Sequence, residues 1–145
     1  MPRQWVIALI LLCTGLNGAG FAWNLFEPVP LYDEVAHFIT PFTLVATLAE
    51  IIYRGGDDGE FFNTLRRAVI AGSVIGLVGA GAWEVIVIEI ALDLMGFPIS
   101  HSLPDTIFDV VLGVAGGAAG AWAADRNLDR LFGRSRANAH RQSVR

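Results

Sequence analysis

The chain has 145 residues, room for one domain, and hydrophobic residues make up 54% of it against 17% that are charged. Its mean hydropathy of +0.53 is too high for a small water-soluble globule, and its net charge of −4 argues against a nucleic-acid partner. A single cysteine, Cys13, excludes a disulfide framework and a cysteine-built metal site. The composition therefore predicts an integral membrane protein.

Four apolar segments are each long enough to cross the hydrocarbon as a helix, which takes about 20 residues. The predicted spans are residues 5–26, 31–53, 68–94 and 105–124, within one transmembrane domain over residues 1–125. An arginine-rich tail, residues 126–145, follows. The first segment also has features of a signal peptide, but we expect it to be retained as a helix. The fold class is therefore predicted to be all-α, a bundle of four transmembrane helices.

The arginines predict the orientation of this bundle. The chain has no lysine, and its arginines all fall at the N-terminus, in the loop between the second and third spans, or in the tail. The other two loops contain none. Because basic residues concentrate in cytoplasmic loops, both termini and the tail are predicted to be cytoplasmic.

Ionisable residues inside the predicted spans gather towards the outer side. Asp33 and His37 lie four residues apart at the start of the second span, and Asp105 and Asp109 repeat this spacing in the fourth. Residues at this spacing share a helix face. Glu84 lies midway along the third span. Since a charge at mid-membrane costs about 2.5–3.5 kcal/mol, each of these residues needs a partner or a role.

Carboxylates with one histidine form a set of hard ligands and proton-handling groups. The candidate catalytic residues are His37, Asp33, Glu84 and Asp109. The candidate ligands of a divalent metal are His37, Glu84, Asp105 and Asp109. Structural explanations stay open beside these: Asp33 and Asp105 as helix N-caps, and His37 as a hydrogen-bonded core residue.

Other polar residues have simpler interpretations. Thr14, Asn17 and Asn24 are predicted to share one side of the first helix, and Thr40 and Thr47 to hydrogen-bond across helices. A kink is expected at Pro41, which cannot donate to the carbonyl of His37. Further expectations are pairing of Glu50 with Arg54, a partner-facing Glu89, and solvated His101 and His140.

Small residues at four-residue intervals predict close helix packing. The ridges are Gly72, Gly76 and Ala80 on the third helix, and Gly113/Gly117 and Gly116/Gly120 on the fourth. Such packing is expected to bring Glu84 towards Asp109. Whether a ridge also faces a second copy stays open at this point.

Several motifs of common enzymes are absent. The chain has no Gly-x-Ser-x-Gly elbow, no His-Glu-x-x-His, no P-loop and no dinucleotide-binding glycine fingerprint. The sequence therefore contains no motif for an acyl-enzyme mechanism or for a nucleotide-driven one.

Three short motifs together resemble the VanZ-like superfamily of small inner-membrane proteins, and more closely its YjdF-like branch. They are residues 32–38 (Tyr-Asp-Glu-Val-Ala-His-Phe), the pair Trp83-Glu84, and residues 105–109 (Asp-Thr-Ile-Phe-Asp) with Gly116 and Gly120. The resemblance implies a four-helix-type bundle with a polar outer pocket in a bacterial inner membrane. For the name-giving relatives it implies a link to the envelope and to glycopeptide (teicoplanin) resistance. The chain departs from the branch at Val87 and Gly113, where acids are common.

Three functions follow from these observations, and whether the chain is an enzyme stays open. The first is metal-assisted binding or turnover of an envelope lipid or lipid-linked substrate at the outer pocket. The second is a non-catalytic accessory subunit of a larger membrane complex or homo-oligomer. The third, a proton or cation pathway, is less favoured because the inner half offers only Glu50 and small residues.

Overall fold

A computed structural model describes residues 3–26, 28–54, 64–84, 86, 94 and 102–125. Four helices follow one another within these residues, and no strand occurs there: α1 (Arg3–Trp23), α2 (Tyr32–Arg54), α3 (Leu65–Ala82) and α4 (Leu103–Ala123). Each helix is long and apolar enough to cross a membrane. The predicted all-α, four-span architecture is confirmed.

The connection between α1 and α2 differs from the sequence prediction. α1 ends at Trp23, and Asn24 follows with φ of 49°, a left-handed conformation that asparagine tolerates well. Asn24 therefore does not continue a polar stripe with Thr14 and Asn17, and that prediction was wrong. Leu31 is also left-handed, with φ of 64°, so α2 begins one residue later than predicted.

Hydroxyl side chains start the other two helices. Thr64 accepts from the backbone N–H of Arg67 at 3.3 Å and caps α3. Ser102 accepts from the N–H of Asp105 at 3.4 Å and caps α4. Both helices therefore begin before their predicted starts at residues 68 and 105. The N-cap interpretation of Asp105 was wrong, because Ser102 fills that position.

α4 packs between α2 and α3 through glycines. A Cβ on Gly72 would meet the carbonyl oxygen of Gly117, and one on Gly76 would meet that of Gly113. On the other side of α4, a Cβ on Gly116 or Gly120 would meet the carbonyl oxygen of a residue in α2. These are Phe38 and Phe42 respectively. The predicted ridges are thus confirmed as packing surfaces, and both α4 ridges are used inside the chain.

α1 lies at the edge of the bundle and packs mainly against α2. Asn17 donates to the Thr40 hydroxyl at 2.9 Å, and the Tyr32 hydroxyl donates to the Leu16 carbonyl at 2.6 Å. The predicted cross-helix bond of Thr40 is therefore confirmed. Thr47 has no hydrogen-bond partner among the described residues, contrary to its prediction. Large apolar side chains of α1 are exposed, as suits a helix in lipid: Ile7, Leu11, Leu12 and Phe21.

Candidate functional site

Three carboxylates from three helical segments converge on one imidazole nitrogen. Asp33 precedes His37 by one turn of α2, and its Oδ1 lies 3.4 Å from His37 Nε2. Glu84 follows the end of α3, with Oε1 3.5 Å from the same nitrogen. Asp109, in the second turn of α4, places Oδ2 at 3.9 Å. We call these four residues the His37 cluster.

Burial decreases across the cluster from Glu84 and Asp109, through His37, to Asp33. The side chains of Glu84 and Asp109 are both 2% exposed, and that of His37 is 11% exposed. The side chain of Asp33 is 26% exposed. The cluster is therefore closed towards the core and opens at the N-terminal end of α2.

Glycine contacts beside the cluster set its dimensions. Gly113 lies one turn after Asp109, and Ala80 lies one turn before Glu84. A Cβ on Gly113 would meet the Cβ of Ala80, so α3 and α4 are too close here for a side chain at position 113. Gly116 makes the equivalent approach to the Phe38 backbone, next to His37. Close packing on both sides of α4 brings the buried acids within reach of the imidazole.

The local backbone at Glu84 also contributes. Trp83 and Glu84 continue α3 as a wider, π-helical turn, a feature that is frequent at functional sites. Glu84 is buried within this turn while the Trp83 ring is partly exposed. That ring lies 6.1 Å, centroid to centroid, from the ring of Phe21 in α1. The turn therefore places an acid inward and an aromatic ring outward.

The distances in the cluster suit a shared cation better than direct hydrogen bonds. Typical N–H···O bonds are about 2.9–3.0 Å long, shorter than the 3.4–3.9 Å found here. Two ligand atoms about 2.1 Å from one tetrahedral ion lie about 3.4 Å apart. Atoms of Asp33, His37 and Asp109 all lie within 4.8 Å of one another. The Oδ2 of Asp109 is buried and has no hydrogen-bond partner among the described residues.

The structure brings together all four candidate catalytic residues, His37, Asp33, Glu84 and Asp109. Of the predicted metal ligands, His37 and Asp109 belong to the group of possible ligands that the structure shows, whereas Glu84 and Asp105 do not. Asp105 is exposed in the first turn of α4, one turn before Asp109. Asp33, which the sequence suggested as a catalytic residue and not as a ligand, belongs to the group of possible metal ligands. Its four-residue spacing from His37 was the signal that pointed to it.

Some predictions fall where the structure gives no description. The residues of these predictions that lie outside the described part are Glu89, His101, His140, the tail at residues 126–145, and residues 85 and 87–93 of the third predicted span. The side chain of Arg54 does so as well, so its pairing with Glu50 stays a prediction. Glu50 itself is buried. Thr43 is buried too, and the sequence analysis did not select it. Its spacing from Thr40 and Thr47 would have placed it on the same helix face.

Comparison with known proteins gives one result. No curated protein and no solved structure matches the chain. A family model described as a predicted membrane protein (DUF2238) matches residues 2–130. The chain therefore belongs to this family of membrane proteins, in agreement with its four candidate spans.

Proposed function

We propose that this member of the DUF2238 family binds a divalent cation in the His37 cluster and uses it to bind or turn over an envelope lipid or lipid-linked substrate. The observation that carries the proposal is the convergence of three carboxylates on His37 Nε2, at 3.4, 3.5 and 3.9 Å. We assign Asp33, His37 and Asp109 as the ligands, because their ligand atoms all lie within 4.8 Å of one another. Glu84 is the third carboxylate beside them, 3.5 Å from His37 Nε2. Asp105, at the exposed start of α4, is not assigned as a ligand.

The charge of the cluster supports a cation. Three carboxylates surround a single imidazole, and two of them are almost fully buried between apolar helices. An excess of negative charge in such a place is costly unless a counter-ion balances it. A divalent ion with oxygen and imidazole ligands would supply that balance, and its remaining positions would accept a phosphate or carbonyl oxygen of a substrate.

The position of the opening supports a lipid head group as the substrate. Asp33 is the most exposed member of the cluster, and it lies in the first turn of α2, where a membrane helix reaches the interface. An anionic head group could approach there only if a cation neutralised the acids. The arginine distribution favours an orientation with this end on the side opposite the cytoplasm.

The resemblance to the VanZ-like superfamily and its YjdF-like branch also favours an envelope role in a bacterial inner membrane. The departure at Gly113 is compatible with the site, because Gly113 packs directly on Ala80 and an acidic side chain would not fit there. Asp33 supplies a carboxylate from the other side of His37 instead.

Thermal unfolding of the purified protein in detergent tests the proposal. After treatment with a chelator, Zn²⁺ and Mn²⁺ are added separately. We expect one of them to raise the unfolding temperature by several degrees, because an ion at 100 times its Kd stabilises the folded state by about 2.7 kcal/mol. Asp109→Asn should remove this shift, and Asp105→Asn should retain it.

The same experiment distinguishes the proposed function from the alternative, a non-catalytic accessory subunit. A short-chain lipid phosphate should raise the unfolding temperature further only when the ion is present. If neither ion nor lipid phosphate shifts the wild-type protein, the acids serve packing. The chain is then better explained as a non-catalytic accessory subunit of a larger membrane complex.

A further inference from the structure

A line of polar side chains continues along α2 from the His37 cluster towards the other side of the membrane. Its members are spaced by three or four residues, so each is next to the following one on the helix surface. They are Thr40, Thr43, Thr47 and Glu50. We call this line the α2 seam. It is distinct from the cluster and is not used by the proposed cation site.

The seam is buried or half-buried along its length but lacks hydrogen bonds at its centre. Thr43 is 4% exposed and Glu50 7% exposed. The hydroxyl oxygens of Thr43 and Thr47 are buried and have no hydrogen-bond partner among the described residues. By contrast, the Ser73 hydroxyl on α3 donates to the Val69 carbonyl of its own helix at 2.9 Å. A buried hydroxyl without a partner is unfavourable, so Thr43 and Thr47 point to a polar species between them.

The two ends of the seam reach polar surroundings. Thr40 lies three residues from His37 and accepts a hydrogen bond from Asn17 of α1. Glu50 lies one turn before the end of α2 at Arg54. From Thr40 to Glu50 the helix rises about 15 Å, roughly half of the hydrocarbon thickness. The seam thus covers the half of the bundle that the His37 cluster does not.

We propose that the α2 seam is a water-lined path that connects the His37 cluster to the membrane face at the C-terminal end of α2, and that it carries water and protons. Water molecules would hydrogen-bond to the Thr43 and Thr47 hydroxyls and to Glu50, which gives each of them the two or more polar partners that a buried water requires. The cluster would then be accessible from both faces of the membrane, whether or not it holds a cation.

Cysteine labelling of the full-length protein in lipid nanodiscs tests the path. In a Cys13→Ser background, Thr43→Cys, Thr47→Cys and Leu44→Cys are each treated with a positively charged methanethiosulfonate reagent. Leu44 is adjacent to Thr43 at the same depth but is 53% exposed on the outside of the bundle, where lipid surrounds it. We expect both seam cysteines to react roughly tenfold faster than the Leu44→Cys control, because the reactive thiolate forms in water and not in lipid.

A second variant tests the direction of access. Adding Thr47→Val, which removes a hydroxyl at nearly constant volume, should slow the labelling of Thr43→Cys, whereas adding Ser73→Ala should not change it. Equal rates for the seam and lipid-facing cysteines would overturn the proposal. So would insensitivity to Thr47→Val, which would place the access at the His37 end. If Thr43→Cys does not fold, Thr47→Cys against Leu44→Cys makes the same comparison. None of these outcomes depends on cation binding.

Discussion

His37 Nε2 is the one atom that all three carboxylates of the cluster approach. Asp33 is held by the same helix as the imidazole, while Glu84 and Asp109 come from the other two packed segments. The contribution of Asp33 can therefore be tested with little effect on the packing between helices. Its side chain is also the most exposed of the four, so substitution there creates the smallest buried defect.

We predict that Asp33→Asn weakens divalent-cation binding by at least about 10-fold, because losing even a group that only orients a metal ligand costs about 10–100-fold. Isothermal titration of the chelator-treated protein measures this change. Glu34→Gln is the matched control, since Glu34 is the neighbouring acid in the same first turn of α2. An equal loss in both variants would mean that general negative charge, and not ligation by Asp33, attracts the ion.

The bond between Asn17 and Thr40 is one of the polar contacts that hold α1 on α2. We predict that Thr40→Val lowers the free energy of unfolding by about 0.6 kcal/mol, a typical value for such a bond between membrane helices. A double-mutant cycle with Asn17→Ala, read by thermal unfolding in detergent, isolates the coupling. Thr14→Val, at an exposed position of α1, should have no effect. Additive effects of the Thr40 and Asn17 substitutions would show that the bond contributes nothing.

The sequence predicted most of the site at the level of residues. The spacing of Asp33 and His37, and the depth of Glu84 and Asp109, sufficed to select the four clustered residues. The sequence also selected Asp105, which is exposed in the first turn of α4 and is outside the group of possible ligands. The four-residue spacing of Asp105 and Asp109 does not show which of the two carboxylates reaches the imidazole. The orphaned hydroxyl of Thr43 was also unpredictable, since a threonine in a membrane helix can bond its own backbone, as Ser73 does on α3.

At the level of helices, α4 is the element that determines the architecture. It uses Gly113 and Gly117 against α3, and Gly116 and Gly120 against α2. The nearest atoms are backbone carbonyl oxygens at Gly116, Gly117 and Gly120 and the short Ala80 side chain at Gly113, so no flexible side chain can move aside. A substitution on one of these ridges therefore has to separate two helices, which would also move the acids away from His37.

We predict that Gly117→Ala destabilises the bundle by about 1–3 kcal/mol, because its Cβ would collide with the Gly72 carbonyl oxygen. Gly79→Ala is the control: Gly79 lies on α3, and no described residue outside its own turn of helix comes within 4 Å of its Cβ position. The substitution should therefore be neutral or stabilising. Unfolding temperatures in detergent measure both. Similar behaviour of the two variants would contradict the packing of α4 on α3.

The four-residue spacing of small residues predicted which helix surfaces pack. The structure shows which neighbouring helix each of these surfaces contacts. Spacing fixes the positions on one helix but carries no information on the partner, because any flat ridge fits another. The helix ends were predicted less well around residues 24–31. In that connection Asn24 and Leu31 adopt left-handed conformations, and no glycine in the sequence indicates them.

At the level of the whole molecule, the described part of the chain contains four candidate spans, an even number. Arg54 ends α2, and Arg66 and Arg67 lie in the first turn of α3. These arginines therefore share one side of the bundle, and α1 begins on that same side. The tail, which carries further arginines, is expected there too.

We predict that both termini are cytoplasmic. Green fluorescent protein fused to either end should fluoresce, and alkaline phosphatase fused to either end should be inactive, because the latter folds only outside the cytoplasm. Active phosphatase at both ends would reverse the orientation and place the His37 cluster on the cytoplasmic side. Opposite results at the two ends would require an odd number of spans.

The metal content of the purified protein, measured by mass spectrometry, is the most direct test of the cation site. The double variant Asp109→Asn/Glu84→Gln removes both buried carboxylate charges of the cluster with little change of shape, and Asp105→Asn is the matched control. We predict a near-stoichiometric divalent metal in the wild-type protein and in the control, and its loss from the double variant. A wild-type protein without metal, beside an equally stable double variant, would contradict the proposed cation site.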